Sequence, residues 1–165
     1  MTQTRVVRTI EAPLDRVFRT VSDIREFARA VPDILGVEFL SEARTGVGTR
    51  FRETRRFGKR EAATELEVTE LEENRRIRLV SDAGGTVWDS QFTVTETGAG
   101  TELELVMEAR PHTFLARITT PLTKGVVRKA LEKDMDRARE HLGHDDDQPK
   151  EGDRRRRRRV RRGDY

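Results

Sequence analysis

Apolar positions along the chain change their period several times, and these changes divide it into predicted elements. Residues 4–12 form a short β-rich run that ends at Pro13. Helical spacing then begins, with apolar residues at Leu14, Val17, Phe18 and Val21. A second short apolar set lies at Ile24, Phe27 and Val31, after a candidate N-cap at Ser22 or Asp23. We therefore predict one strand and two short helices that end before Pro32.

Between residues 34 and 110 the apolar period is two, which is typical of strands. Glycine-rich or asparagine-containing turn signals separate six segments, at about 34–43, 48–57, 60–71, 75–82, 85–96 and 100–110. Because the connections have hairpin length, we expect an antiparallel meander. After Pro111 the apolar residues follow one helical stripe, namely Leu115, Ile118, Leu122, Val126, Leu131, Met135, Ala138 and Leu142. This pattern predicts one long helix, kinked near Pro121 and ending at Gly143.

The order of these elements predicts an α+β fold. A meander with one apolar face must cover that face, and the C-terminal helix is the only element long enough to do so. We expect a curved sheet around this helix, as one domain over residues 1–143. Residues 144–165 have almost nothing to bury, so we expect an acidic, then arginine-rich, disordered tail.

The segment "GTRFRETRRF", residues 48–57, places two charged residues on an apolar face. Strand alternation puts Phe51 and Phe57 on the same side as Glu53 and Arg55. The opposite register would bury Arg50, Arg52 and Arg56 without partners. This would cost far more free energy than burying one Glu–Arg pair. Two interpretations of the inward pair remain open. It is an internal salt bridge, or it holds a ligand, with Arg55 binding a carboxylate or phenolate and Glu53 a hydroxyl. In the second case Glu53 could also act as a general base.

Composition excludes several kinds of site. The chain has no cysteine, which rules out disulfides and thiolate chemistry. Its three histidines do not combine with carboxylates at metal-site spacing, and no catalytic or phosphate-binding motif is present, so we expect no metal and no cofactor. No segment approaches 18 apolar residues, which makes a cytoplasmic protein the default expectation. The formal charge of +3 comes from the tail, since residues 1–143 are balanced.

Three stretches of the chain are similar to a known superfamily. "IEAPLDRVFRTVSDIREFARAVPDI", "GVGTRFRETRRFGKREAATELEVTELEENRRI" and "GTELELVMEARPHTFLARITTPLTKGVVRKALEKDMDRAREHL" resemble the START-like, or SRPBCC, superfamily. Its members include polyketide cyclase/dehydrase-like proteins and the birch-pollen allergens. The resemblance implies a helix-grip fold, with a seven-stranded antiparallel sheet around the C-terminal helix and a cavity for hydrophobic molecules between them. The candidate pocket residues are Phe51, Glu53, Arg55, Trp88, Ser90, Phe92, Leu105, Met107, Ile118 and Leu122.

Three functions follow as hypotheses. The first is binding of a hydrophobic small molecule, such as a lipid or a polyketide, in the cavity. The second is an enzyme of the cyclase/dehydrase kind, although the resemblance supplies no catalytic residues. The third is an interaction protein that contacts nucleic acid or anionic membrane weakly and without sequence specificity. That contact would use the tail arginines, Arg154, Arg155, Arg156, Arg157, Arg158, Arg159, Arg161 and Arg162.

Overall fold

The computed structural model describes residues 2–146, and it shows the predicted α+β architecture. Its elements are β1 (Thr2–Ile10), α1 (Leu14–Ser22), α2 (Ile24–Ala30), β2 (Ile34–Phe39), β3 (Arg50–Phe57), β4 (Arg60–Glu72), β5 (Arg76–Ala83), β6 (Thr86–Thr97), β7 (Gly100–Pro111), α3 (Phe114–Leu122) and α4 (Lys124–Asp146). The strands form one antiparallel sheet in the order β1-β7-β6-β5-β4-β3-β2. The predicted meander is confirmed, and β1 pairs with its last strand.

The concave face of the sheet carries the core, and α4 lies across it. Side chains of α4 at Leu131, Met135 and Leu142 are buried. Two ion pairs of 2.7 Å fasten the helix. Asp136 accepts from Arg8 on β1, and Lys133 pairs with Asp33 after α2. These contacts fix which side of α4 faces the sheet.

The inward face predicted for β3 agrees with the burial, since Phe51 is almost fully buried. Ile77 on β5 and Leu103 on β7 are almost fully buried as well. Phe57 is the exception, because it lies at the end of β3 and is 51% exposed. In the short helical region the side chain of Asp23 accepts hydrogen bonds from the first amides of α2, so Asp23 is the N-cap.

The predicted long C-terminal helix is confirmed as α4, but the kink expected near Pro121 is a complete interruption, because a separate helix, α3, precedes it. Pro121 has no amide hydrogen to donate, and the amide of Thr123 bonds back to Thr120 over 3.1 Å, which ends α3. The predicted end at Gly143 is wrong, since α4 continues through Asp146. No helix within residues 2–146 is long and apolar enough to cross a membrane.

The break changes the direction of the apolar stripe. In α3 the buried residues are Ala116 and Thr120, and Thr120 shares a hydrogen bond of 2.9 Å with Thr86 on β6. The large apolar side chains of α3 therefore face away from the sheet. Ile118 and Leu122, which we predicted as pocket residues, are 53% and 79% exposed.

Candidate functional site

A cavity of about 350 Å³ lies between the concave face of the sheet and the helices α2 and α4. Its volume falls within the range of roughly 300–1,000 Å³ that small-molecule sites occupy. Most of its lining is apolar, and the lining residues are Val21, Ile24, Phe27, Phe51, Glu53, Arg55, Phe57, Thr64, Leu66, Leu79, Ser81, Ala83, Trp88, Ser90, Phe92, Leu105, Met107, Val126, Val127, Ala130, Leu131 and Asp134.

The register of the central strands explains why space remains there. Ser90 on β6 lies between Leu79 on β5 and Met107 on β7, in one row across the sheet. Ser81 lies opposite Trp88 in the next row. Because a serine occupies a position in each row where its neighbours are large, the side chains of the sheet do not fill the concave face.

A cluster of three charged side chains forms the polar side of the cavity. The guanidinium of Arg55 donates from Nε to Glu53 over 3.0 Å and from Nη1 to Asp134 over 2.7 Å. Glu53 and Arg55 come from β3, whereas Asp134 comes from α4. The side chains are 15%, 16% and 10% exposed, in the order Glu53, Arg55, Asp134. The cluster thus joins the sheet to the helix and also faces the cavity.

Burial and pairing act in opposite directions on the charges of this cluster. Burial by itself lowers the pKa of Arg55, but the carboxylates of Asp134 and Glu53 outweigh burial, so the pKa is raised. Burial raises the pKa of Asp134, and the attraction of Arg55 offsets that only in part. When all three groups are ionised, two carboxylates face one guanidinium. The charge of Arg55 is therefore already balanced before any ligand arrives.

Two apolar residues mark the mouth of the cavity. Phe57 at the end of β3 and Val126 in the first turn of α4 both line it, yet they are 51% and 70% exposed. Side chains that are both cavity lining and largely exposed lie where the cavity opens. The mouth is therefore between the β3–β4 hairpin and the start of α4.

Eight of the ten pocket residues predicted from sequence line this cavity: Phe51, Glu53, Arg55, Trp88, Ser90, Phe92, Leu105 and Met107. That they contact a ligand stays a prediction. Ile118 and Leu122 do not line the cavity, because α3 turns them outward. Asp134 was not among the residues predicted from the sequence. One signal was present, since Asp134 is three residues after Leu131 and beside Met135, on the buried stripe of the helix.

The described part of the chain offers no metal centre, since residues 2–146 contain no group of three His, Cys, Asp or Glu side chains suited to one. The predicted contacts of the tail arginines, residues 154–162, lie outside the described residues.

Solved structures with the same fold support the helix-grip assignment. TTHA0849 from Thermus thermophilus superposes with a TM-score of 0.70 at 20% identity, covering 86% of this chain and 97% of that one. Ara h 8.0201 gives 0.66 at 12% identity, with 86% and 98% covered. The di-domain ARO/CYC StfQ from the steffimycin biosynthetic pathway gives 0.71 at 10%, with 86% and 50% covered.

These identities show a shared fold and no more, and a search of curated proteins finds no match. The family match is made on the sequence itself. Residues 1–143 match the family described as polyketide cyclase / dehydrase and lipid transport. This agrees with the START-like resemblance and with the helix-grip architecture, and the chain belongs to this polyketide cyclase / dehydrase and lipid transport family.

Proposed function

We propose that this protein binds a hydrophobic small molecule in the cavity between the sheet and α4. The observation that carries the proposal is the cavity itself: about 350 Å³ of space, walled mainly by apolar side chains, with charged groups on one side. A site of this kind holds the body of a ligand by burial of apolar surface and orients it by a few polar contacts. The family description, which includes lipid transport, supports the same class of ligand.

The charged cluster restricts the polar end of that ligand. A ligand carboxylate would add a third negative charge beside Glu53 and Asp134, against one guanidinium. A hydroxyl can donate to either carboxylate, and an amine can balance the excess negative charge. We therefore infer an apolar ligand whose polar end is uncharged or cationic, in place of the carboxylate that the sequence alone suggested for Arg55.

The single tryptophan provides a direct test. Trp88 lines the cavity, so a bound molecule changes its surroundings. The probes are decan-1-ol, decan-1-amine and decanoate, each below its micellar concentration. We expect the alcohol and the amine to shift Trp88 emission and to raise the melting temperature more than decanoate does. If none of the three changes either signal, binding of simple alkyl ligands in this cavity is refuted. A preference for decanoate refutes the inferred polar end.

A matched pair of variants separates cavity binding from surface binding. Ser90→Leu adds a side chain inside the cavity, whereas Thr95→Leu makes a similar addition on the outer face of the same strand, β6. We expect Ser90→Leu to abolish the response to decan-1-ol and Thr95→Leu to leave it unchanged. Equal responses in both variants would place the ligand outside the cavity.

Acid–base catalysis on the bound molecule is a second candidate, favoured by the raised pKa of Asp134. This candidate uses Asp134 in its protonated form and not as the carboxylate counted above. A carboxyl group that burial keeps protonated above its usual range can donate a proton, and Glu53 could accept one within the same cluster. With a linear poly-β-ketone as probe, Asp134→Asn and Glu53→Gln should each lower ring formation while Trp88 still reports binding. If the unaltered protein forms no more ring product than buffer alone, this candidate is wrong for that substrate class.

A further inference from the structure

Five large apolar side chains of α3 and the first turn of α4 project into solvent, and we call them the apolar ridge. They are Phe114, Leu115, Ile118, Leu122 and Val126, and each is more than half exposed. Contiguous exposed apolar surface of this kind is rare unless it binds something. Elsewhere in residues 2–146 the exposed large apolar residues are Leu35, Val47, Phe57 and Leu71.

The ridge faces outward because small residues anchor the helix behind it. Ala116 and Thr120 are buried against the sheet, and the hydroxyl of Thr120 shares a hydrogen bond with Thr86. At the start of α3 the side chain of Thr113 caps the helix by accepting from the amide of Ala116. Because the inner side of α3 is fixed in this way, its large apolar residues lie in solvent. They are not core residues that failed to find room inside the protein.

The segment that carries the ridge has an excess of positive charge. No aspartate or glutamate occurs between Glu108 and Glu132, in a chain of which 38% is charged. Asp82 lies near the start of this segment, where it pairs with His112. Among residues 2–146, Arg117, Lys124 and Lys129 have no carboxylate partner. Two arginines on the outer face of the sheet, Arg52 and Arg78, each pair with two carboxylates instead. A ridge of apolar side chains among unpaired cations is complementary to a layer that has an apolar interior and anionic groups at its surface.

We propose that the apolar ridge docks this protein on an anionic lipid surface. The apolar side chains enter the boundary between headgroups and acyl chains, and the unpaired cations lie at the level of the phosphates. Val126 belongs to both the ridge and the lining of the cavity. The mouth of the cavity therefore opens beside the docked surface, which gives an apolar molecule a route between bilayer and cavity without crossing water.

The other occupants fit the ridge less well. Residues 147–165 carry Val160 and Tyr165 as their large apolar residues and eight arginines, so this segment would add positive charge to positive charge. A second copy docked by two-fold symmetry would bring the unpaired cations of both ridges together, with no carboxylate between Glu108 and Glu132 to separate them. In both arrangements the positive charges of the cations around the ridge have no negative charge to pair with.

Vesicle co-sedimentation of the full chain tests the proposal. The probes are vesicles of phosphatidylcholine alone and of phosphatidylcholine with phosphatidylglycerol. We expect binding to the anionic vesicles, weakened by salt. Leu115→Ser/Leu122→Ser should lower the affinity by about tenfold or more, because two exposed leucines no longer enter the membrane. Val47→Ser, at an exposed valine outside the ridge, should leave the affinity unchanged.

Two further variants show whether the tail or the cavity, and not the ridge, is responsible for binding to vesicles. A variant with all eight tail arginines changed to glutamine should keep binding that depends on Leu115 and Leu122. If that variant does not bind, while Leu115→Ser/Leu122→Ser binds like the unaltered chain, the tail makes the contact and the proposal is overturned. Absence of vesicle binding, or loss of a dimer in Leu115→Ser/Leu122→Ser, overturns it as well. Ser90→Leu, which fills the cavity, should bind vesicles normally, so this test does not depend on the proposed ligand.

Discussion

Replacing Arg55 by methionine tests whether the charged cluster is a coupled, buried unit. The guanidinium lies between Glu53 and Asp134, at 3.0 and 2.7 Å, and the side chains of both carboxylates are at most 15% exposed. Methionine keeps much of the length of the arginine but removes the charge. Two carboxylates then face each other without a cation. Because breaking a buried ion pair from one side costs about 3–5 kcal/mol, we expect Arg55→Met to lower the free energy of unfolding by that amount at pH 7.

Arg52 offers a matched control on the same strand. It also pairs with two carboxylates, Glu38 at 3.2 Å and Glu65 at 2.8 Å, but it lies on the outer face and its side chain is 42% exposed. Exposed ion pairs contribute little to stability, so Arg52→Met should cost much less than Arg55→Met. The difference between the two variants measures the effect of burial on otherwise similar arginine sites.

Lower pH should partly rescue Arg55→Met. Burial and the charge of Glu53 raise the pKa of Asp134, and Arg55 opposes them, so removing the guanidinium raises this pKa further above the unfolded value near 4. The folded variant then binds more protons than the unfolded chain between pH 4 and the raised value, so its stability increases as pH falls. Urea unfolding followed by circular dichroism at pH 7 and pH 5 measures this. A loss at pH 7 no larger than that of Arg52→Met, or no gain at pH 5, would refute the reasoning.

A triple variant separates charge from packing. In Glu53→Leu/Arg55→Met/Asp134→Leu no charge remains in the cluster, so nothing is left unpaired. Apolar replacements of whole buried ion clusters are often neutral or stabilising by about 1–4 kcal/mol. The triple variant should therefore be much more stable than Arg55→Met in the same urea experiment. If the two variants are equally unstable, the loss comes from packing around position 55 and not from the unpaired carboxylates.

Three more predictions concern single positions and use equilibrium unfolding. Because the pKa of Asp134 is raised, its contribution to stability is present below the ordinary value near 4 and is lost as pH rises through the raised value. Asp134→Asn should therefore lose less stability between pH 4 and pH 7 than the unaltered protein, and equal losses would exclude this titration. Asp89 has a lowered pKa, mainly through its hydrogen bond from Arg78, so Asp89→Asn should cost about 1.5–3 kcal/mol at pH 7 and less at pH 3; a constant cost would be contrary evidence. Gly85→Ala should lower the free energy of unfolding by about 2–3 kcal/mol, since φ is +76° and the new Cβ would lie 2.3 Å from Thr113 Oγ1. The control Gly84→Ala, where φ is +61° and the Cβ meets open space, should cost about 1–2 kcal/mol. Similar losses in the two variants would mean that Thr113 moves away from the new Cβ at little cost.

The inward face of β3 could be predicted from sequence because one energetic term dominates it. Strand alternation leaves two registers, and one of them would bury several arginines without partners. The choice is therefore made by local sequence alone, and the structure places Phe51, Glu53 and Arg55 accordingly. The strand boundaries could also be predicted from local sequence, because each turn contains residues that tolerate the backbone conformation of a turn.

The position of the C-terminal helices could not be obtained in this way. An apolar stripe at helical spacing does not show where a helix is interrupted, and the interruption at Thr123 changes which side of each segment faces the sheet. Ile118 and Leu122 therefore continue the stripe in sequence but not in space. Asp134 was missed for a different reason. The stripe of Leu131 and Met135 indicates that it lies near the buried side of the helix, but sequence does not show that its partner is Arg55, 79 residues away.

The sequence left two interpretations of Glu53 and Arg55, an internal ion pair or the polar side of a pocket. In the structure both residues pair and both line the cavity, so the ion pair is also part of the cavity wall, and its contact with a ligand stays a prediction. The third charge, Asp134, gives the arrangement its chemical consequence. A lone Glu53–Arg55 pair would be neutral and indifferent to the charge of a ligand, whereas two carboxylates around one guanidinium disfavour an anionic end. Because an apolar cluster could hold the sheet to α4 at least as well, stability alone gives no reason for charges at this place. A ligand whose polar end needs acceptors does give one.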